Sequence, residues 1–227
     1  MAALKVLALL SACIIGSAFA WPQDLGDVVT GRADWGQEGG ETSPDGSEEV
    51  SIDILPSLRL KNTGGIGPRG PGTGAGLCVF TSIAHAAREQ NEPNRDIWDI
   101  QEYMKSQEGG GWPEKVERVL SSRYPGVRYL QDTTGDLDLL RAAIASGRVP
   151  GVTYNGTLDP RYNGQRIAHM VNVVHIGNKW AAVLDNNFPQ KLIWMPVQSF
   201  EKQWKGSRGG GWSVILLANG SPPIPHS

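Results

Sequence analysis

Residues 169 to 187, HMVNVVHIGNKWAAVLDNN, decide the fold predicted for the second half of the chain. Two apolar runs flank Gly177 and Asn178, a pair typical of tight turns between antiparallel strands. A turn centred there returns Asp185 to the level of His169, which opens the first strand. The stretch therefore predicts a β-hairpin that sets a carboxylate beside an imidazole. A register shift of one or two residues would substitute Asn186 or Asn187 for Asp185, and an asparagine in that place could orient the ring equally.

The first of these strands carries two histidines, and only one can serve a given site. Strict alternation points His169 and His175 to one face of the strand, about 20 Å apart. His169 follows the polar loop NGQRIA, whereas His175 stands at the far end before the turn. We therefore take His169 as the functional imidazole and His175 as a structural one.

A glycine loop in the first half of the chain leads into the helix on which a nucleophile would sit. Residues 64 to 76 read GGIGPRGPGTGAG, and the apolar spacing that follows predicts an amphipathic helix over residues 77 to 90. Cys78 then lies in the first helical turn. Backbone N–H groups and the positive end of the helix dipole favour a thiolate there and can hold a developing oxyanion.

The remaining periodicities predict an α+β fold. Helical spacing recurs over residues 97 to 106, 113 to 120, 137 to 146 and 199 to 205, and strand-like runs occupy residues 50 to 55, 149 to 154, 191 to 195 and 213 to 218. Helices in the first half and strands in the second indicate an N-terminal helical layer, with the nucleophile helix, packed on a C-terminal antiparallel sheet. We expect one such domain over residues 50 to 219.

The ends of the chain differ in character from this domain. Residues 1 to 20 have the features of an export signal, with Lys5, an apolar run and the small-residue site Ala18-Phe19-Ala20, so we expect a secreted or periplasmic protein. Lipidation at Cys13 is the alternative interpretation. Residues 21 to 49 are acidic and glycine-rich and are predicted to be a disordered linker or a propeptide. Residues 220 to 227 form a Pro-rich tail.

Composition excludes several classes of function. The net charge is −2 without any basic run, which argues against nucleic-acid binding. The histidines are dispersed and no paired cysteines occur, so no metal or other cofactor is expected. Beyond the signal, no stretch approaches the roughly 20 apolar residues of a membrane helix, and an integral membrane span is not expected.

Removal of residues 1 to 20 would leave Cys78 as the only thiol. A lone cysteine in an oxidising compartment is a buried apolar residue, an intermolecular link or a nucleophile. A nucleophile needs a base, and His85 lies two helical turns away, about 10 Å along the axis. His226 belongs to the tail. The hairpin remains as the source of the base, His169, and of its orienting partner, Asp185.

The segments GLCVFTSIAHAA, HMVNVVHIG and VLDNNFP, in this order, resemble the papain-like cysteine peptidases, nearest to the compact bacteriocin-leader-peptidase type. The resemblance covers roughly residues 50 to 219. It implies a papain-like thiol hydrolase that cleaves amide bonds of protein or peptide substrates with the triad Cys78, His169 and Asp185. A substrate cleft between the helical layer and the sheet is implied as well.

One departure from the family concerns the oxyanion hole. The family places a Gln shortly before the nucleophile, and residues 72 to 77 here read GTGAGL. Asn62, Thr73 or backbone N–H groups of the glycine loop are the candidates to replace it. Alternatives to a peptidase are an amidase or acyl transferase acting on cell-wall peptides with the same triad, and a non-catalytic binding domain.

Overall fold

The computed structural model describes residues 37 to 218. The expected signal sequence, the alternative lipidation site Cys13, the first part of the acidic leader and the Pro-rich tail lie outside the described residues.

The described residues form five α-helices and one seven-stranded sheet. The helices are α1 (Cys78–Glu89), α2 (Ile100–Met104), α3 (Pro113–Arg123), α4 (Leu137–Ala145) and α5 (Val197–Lys205). The strands are β1 (Gln37–Gly39), β2 (Tyr129–Asp132), β3 (Gly151–Tyr154), β4 (His169–Ile176), β5 (Trp180–Leu184), β6 (Leu192–Pro196) and β7 (Ser213–Leu216). They follow the order β1-β6-β5-β4-β3-β7-β2, and each neighbouring pair is antiparallel. The α+β class is confirmed.

Helices cover both faces of the sheet, not one. On one face, Asn172 of β4 donates from Nδ2 to the carbonyl of Ser82 in α1 at 3.1 Å. On the other face, Gln203 of α5 donates to the hydroxyl of Tyr154, which pairs with His169 across β3 and β4. Since Asn172 and His169 are an odd number of residues apart on one strand, α1 and α5 lie on opposite faces.

A β-bulge at Val174 overturns one prediction about the two histidines of β4. Val173 pairs with Val183, but His175 pairs with Ala182, so β4 holds one extra residue at this point. The extra residue reverses the alternation, and His175 lies on the face opposite to His169. The prediction of a shared face is therefore wrong, because strict alternation assumes an uninterrupted ladder.

The N-terminal arm, defined here as residues 40 to 54, packs against the sheet, so the expected disorder up to residue 49 is wrong for residues 40 to 49. Thr42 pairs with Glu49 in an isolated bridge, and Val50 and Ile54 are each 1% exposed. The strand predicted over residues 50 to 55 is absent. One backbone bond, from Ile52 N–H to the Val174 carbonyl at 3.2 Å, joins this stretch to the bulge. The folded unit thus begins before residue 50.

The glycine loop is a close-packed platform at the start of α1. Gly64 pairs with Gly76, and Gly110 N–H donates to the Gly76 carbonyl at 2.8 Å. A Cβ atom on Gly109 would lie 1.9 Å from the Ala75 carbonyl oxygen. Two backbone segments approach this closely only where no Cβ atom lies between them, which explains the glycines in residues 64 to 76 and in residues 109 to 111.

Nowhere in residues 37 to 218 is a helix long and apolar enough to cross a bilayer.

Candidate active site

Cys78 is the first residue of α1. Leu77 caps the helix, and the Thr81 N–H donates to the Leu77 carbonyl in the first helical hydrogen bond, 2.8 Å long. The N–H groups of the first turn have no acceptors within the helix, so they are available to donate to an anion at this end of α1. The residue is only 4% exposed.

His169 and Asp185 form a buried pair at the open end of the β4–β5 hairpin. His169 Nε2 lies 2.7 Å from Asp185 Oδ1, and neither side chain is more than 2% exposed. Asp185 Oδ1 also accepts the N–H of Asn187 at 2.8 Å. Because a carboxylate accepts hydrogen bonds, Nε2 carries the proton in the neutral ring and Nδ1 carries the lone pair of a base.

Two residues that the sequence analysis missed hold the other oxygen of Asp185. Tyr162 donates its hydroxyl to Asp185 Oδ2 at 2.6 Å, and Arg161 Nη2 lies 3.5 Å from the same atom. Burial alone would raise the pKa of Asp185, but His169, the Tyr162 hydroxyl and the Arg161 guanidinium together keep it below its ordinary value. Asp185 is therefore held as an anion.

Tyr162 and Arg161 lie on a 3-10 turn, Pro160–Tyr162, in the loop between β3 and β4. Arg161 is bonded in turn to the carboxylate of Asp159, its neighbour in this loop. No periodicity marks such residues, because their position depends on how the loop folds back over the hairpin. An Arg-Tyr pair shortly before the predicted base was the only signal in the sequence.

Asn186 links the helix that contains Cys78 to the strand that contains His169 by hydrogen bonds. Its Nδ2 lies 3.2 Å from the Cys78 carbonyl, 3.1 Å from Ser82 Oγ and 3.0 Å from the Met170 carbonyl. Asn186 is fully buried. The residue predicted as an alternative orienter thus joins the backbone of Cys78 to that of the residue after His169, while Asp185 contacts the imidazole.

The two candidates for the oxyanion hole occupy different surroundings. Asn62 Oδ1 accepts the N–H of Leu77 at 3.1 Å, and its Nδ2 donates to Asn187 Oδ1 at 3.0 Å. Thr73 lies on an exposed turn and donates its hydroxyl to the Gly70 carbonyl at 2.7 Å. Asn62, not Thr73, is beside the start of α1.

The other described histidines have structural partners. His85 accepts the N–H of Leu60 and lies 3.3 Å from Asn172 Oδ1, and burial lowers its pKa to about 4. His175 lies 2.9 Å from both Glu48 Oε2 and Ser51 Oγ, in the N-terminal arm. Neither ring is part of the Asp185 cluster.

No group of histidine, cysteine and acidic side chains within residues 37 to 218 is arranged to hold a metal ion. What the described cluster offers is a buried imidazole–carboxylate pair whose chain neighbour, Asn186, donates to the carbonyl of Cys78 in the thiol-bearing helix. No protein-family model matches the chain, and no curated protein matches it either.

Proposed function

We propose that this protein is a thiol hydrolase of papain-like fold that cleaves amide bonds with Cys78, His169 and Asp185. The observation that carries the proposal is the 2.7 Å hydrogen bond between His169 and Asp185, joined through Asn186 to the first turn of the Cys78 helix. A nucleophile, a base and a group that orients the base are the parts that such a reaction requires.

In the proposed reaction, His169 Nδ1 takes the proton of the Cys78 thiol, and the sulfur attacks the substrate carbonyl carbon. The carbonyl oxygen becomes an oxyanion near the N–H groups of the first turn of α1. The C–N bond then breaks, and the amine leaves with the proton from His169. Water activated by His169 hydrolyses the thioester, which releases the acid and restores the thiol. Asp185 stays ionised and stabilises the imidazolium.

One observation favours a second candidate, a non-catalytic binding domain. Cys78 is 4% exposed and His169 is 5% exposed, so both residues are buried. A buried cysteine with no activation behaves as a small apolar side chain. The two candidates differ in the reactivity of the thiol.

The pH dependence of Cys78 alkylation separates them. The full chain is treated with iodoacetamide from pH 4 to 10, and labelling is resolved by peptide mass spectrometry, because Cys13 also reacts where it is present. A nucleophile paired with His169 reacts with a midpoint well below the ordinary thiol pKa of about 8.5, and His169→Gln moves the midpoint toward that value. His175→Gln, the same change on the same strand, leaves it in place.

A wild-type midpoint near 8.5 that His169→Gln does not change would contradict the proposal. Turnover is measured separately on denatured protein and on cell-wall peptides, and we expect Cys78→Ala to abolish it. Cross-linking with 1,3-dibromoacetone adds a proximity test, because its three-carbon chain joins a thiol to an imidazole only when the two are neighbours. The expected product links the Cys78 and His169 peptides.

A further inference from the structure

A chain of hydrogen bonds runs from the start of α1 to the carboxylate of Asp185. The Leu77 N–H is shared between the Thr63 carbonyl at 2.8 Å and Asn62 Oδ1 at 3.1 Å, and Asn62 Nδ2 donates to Asn187 Oδ1 at 3.0 Å. Asn187 Nδ2 donates to the Tyr162 hydroxyl at 3.0 Å, and Tyr162 donates to Asp185 Oδ2 at 2.6 Å. His169 occupies the other oxygen of the same carboxylate.

All four donors point the same way, toward the negative charge. Each amide accepts with its oxygen and donates with its nitrogen, so each bond polarises the next and strengthens it. The last bond ends on an anion, which makes it the strongest of the series. The arrangement links residues 125 positions apart in the chain, from Asn62 to Asn187.

We propose that Asn62, Asn187 and Tyr162 form a positioning relay that holds Asp185 against His169 and sets this pair in register with the Cys78 helix. This inference rests on the proposed function, since positioning has meaning only if His169 is the partner of the thiol. None of the three residues touches the reacting atoms in this role. Tyr162 acts on Asp185 directly, and Asn62 acts on it through Asn187.

Several other groups also affect Asp185 and must be considered in any titration. His169 faces it from β4, and Arg161 and Tyr162 face it from the turn after β3. Behind them, Asp159 accepts from Arg161 and from the hydroxyl of Tyr154. A substitution at Asn62 replaces none of these groups.

Two substitutions interrupt the relay without removing the packing. Tyr162→Phe keeps the ring, whose centroid lies 5.6 Å from that of Phe188, and removes only the hydroxyl. Asn62→Asp keeps an oxygen acceptor for the Leu77 N–H and replaces the Nδ2 donor. Tyr129→Phe is the matched control, because it also removes a hydroxyl bonded to a carboxylate, that of Glu117, on an edge strand of the sheet.

The readout is again the pH profile of Cys78 alkylation, with circular dichroism to verify folding. Loss of one hydrogen bond to a charged group corresponds to about a tenfold change in an equilibrium constant, which is about one pKa unit. We therefore expect Tyr162→Phe to react about tenfold more slowly below the wild-type midpoint and to shift that midpoint up by about one pH unit. Asn62→Asp should shift it in the same direction. Alkylation develops no oxyanion, so this effect of Asn62 reports positioning and not oxyanion binding.

The double variant, Tyr162→Phe with Asn62→Asp, tests whether the bonds act as one unit. If the relay is already interrupted at Tyr162, the second substitution should slow Cys78 alkylation little further, so the double variant should match Tyr162→Phe alone. Independent contributions would instead give the product of the two fold-reductions in rate. If Tyr162→Phe does not fold, Asn62→Asp against the wild type decides the question by the same shift.

The outcomes distinguish the two proposals. A wild-type profile with an ordinary midpoint and no response to His169→Gln refutes the proposed function and the relay together. An activated wild type that responds to His169→Gln, with Tyr162→Phe and Asn62→Asp unchanged, refutes the relay alone. A double variant whose fold-reduction in alkylation rate equals the product of the two single reductions also refutes the relay.

Discussion

Replacement of Glu48 by Gln should weaken the attachment of the N-terminal arm to the sheet. The Glu48 carboxylate accepts four hydrogen bonds at the β4–β5 turn. Oε1 accepts the N–H groups of Asn178 at 3.1 Å and Lys179 at 2.9 Å, and Oε2 accepts the N–H of Trp180 at 3.1 Å and lies 2.9 Å from His175 Nε2. One carboxylate therefore closes the hairpin turn and holds the arm at the same time.

The expected loss follows from this geometry. Glutamine keeps one oxygen and turns its NH2 group toward two donors, so two of the four bonds are lost. At about 1 kcal/mol for each bond, the free energy of unfolding falls by about 2 kcal/mol. For a folded unit of this size, that corresponds to a fall in Tm of about 4 to 8 °C.

The effect should depend on pH. Burial alone would raise the pKa of Glu48, but its bonds to His175 and to the turn N–H groups lower it below the ordinary value. A lowered carboxyl pKa means that the anion stabilises the fold above about pH 4.5 and that this stabilisation disappears as the pH falls through the folded-state pKa. The difference between wild type and Glu48→Gln should therefore shrink in acid.

Glu49→Gln is the matched control, because it makes the same chemical change one residue further on, at an exposed side chain. Thermal and urea unfolding of the full chain at pH 7 measures both variants. Equal midpoints for Glu48→Gln and Glu49→Gln would refute the reasoning.

Three further predictions concern the region around the candidate site. Gly109→Ala should cost about 1 to 3 kcal/mol in urea unfolding, because its Cβ would overlap the Ala75 carbonyl, whereas Gly40→Ala, with nothing within 4 Å, should be neutral. Because burial holds the pKa of His85 at about 4, unfolding free energy should fall by up to about 3 kcal/mol between pH 6.5 and 4; an NMR titration midpoint near 6.5 would contradict this. Asn186→Ala leaves three buried acceptors without their shared donor, and should lower Tm by several degrees; an unchanged Tm would show that these bonds contribute nothing.

Features that depend on neighbouring residues could be read from the sequence. Apolar spacing predicted α1 within a residue at each end, and the Gly177-Asn178 turn predicted the hairpin that β4 and β5 form. The hydrogen bond between His169 and Asp185 belongs to the same class, because one tight turn brings their strands together. The cap of α4 is also local, since the Asp136 side chain accepts from the N–H groups of Asp138 and Leu139.

Features that join distant segments were decided by packing. The edge strands β1 and β2 were missed, and β2 is partly exposed and lacks the alternation that marks a half-buried strand. The bulge at Val174, which separates the faces of the two histidines, arises where the N-terminal arm bonds to β4.

The contacts around Asp185 also include one that is local in sequence and others that join distant segments. His169 was predictable as its partner because the two lie on one hairpin, whereas Tyr162 and Asn62 reach this cluster from separate loops. Local periodicity and turn chemistry act over a few residues, so the sequence alone determined the helix and the hairpin. A hydrogen bond between residues more than a hundred positions apart forms only when the layers pack, and that choice belongs to the tertiary structure.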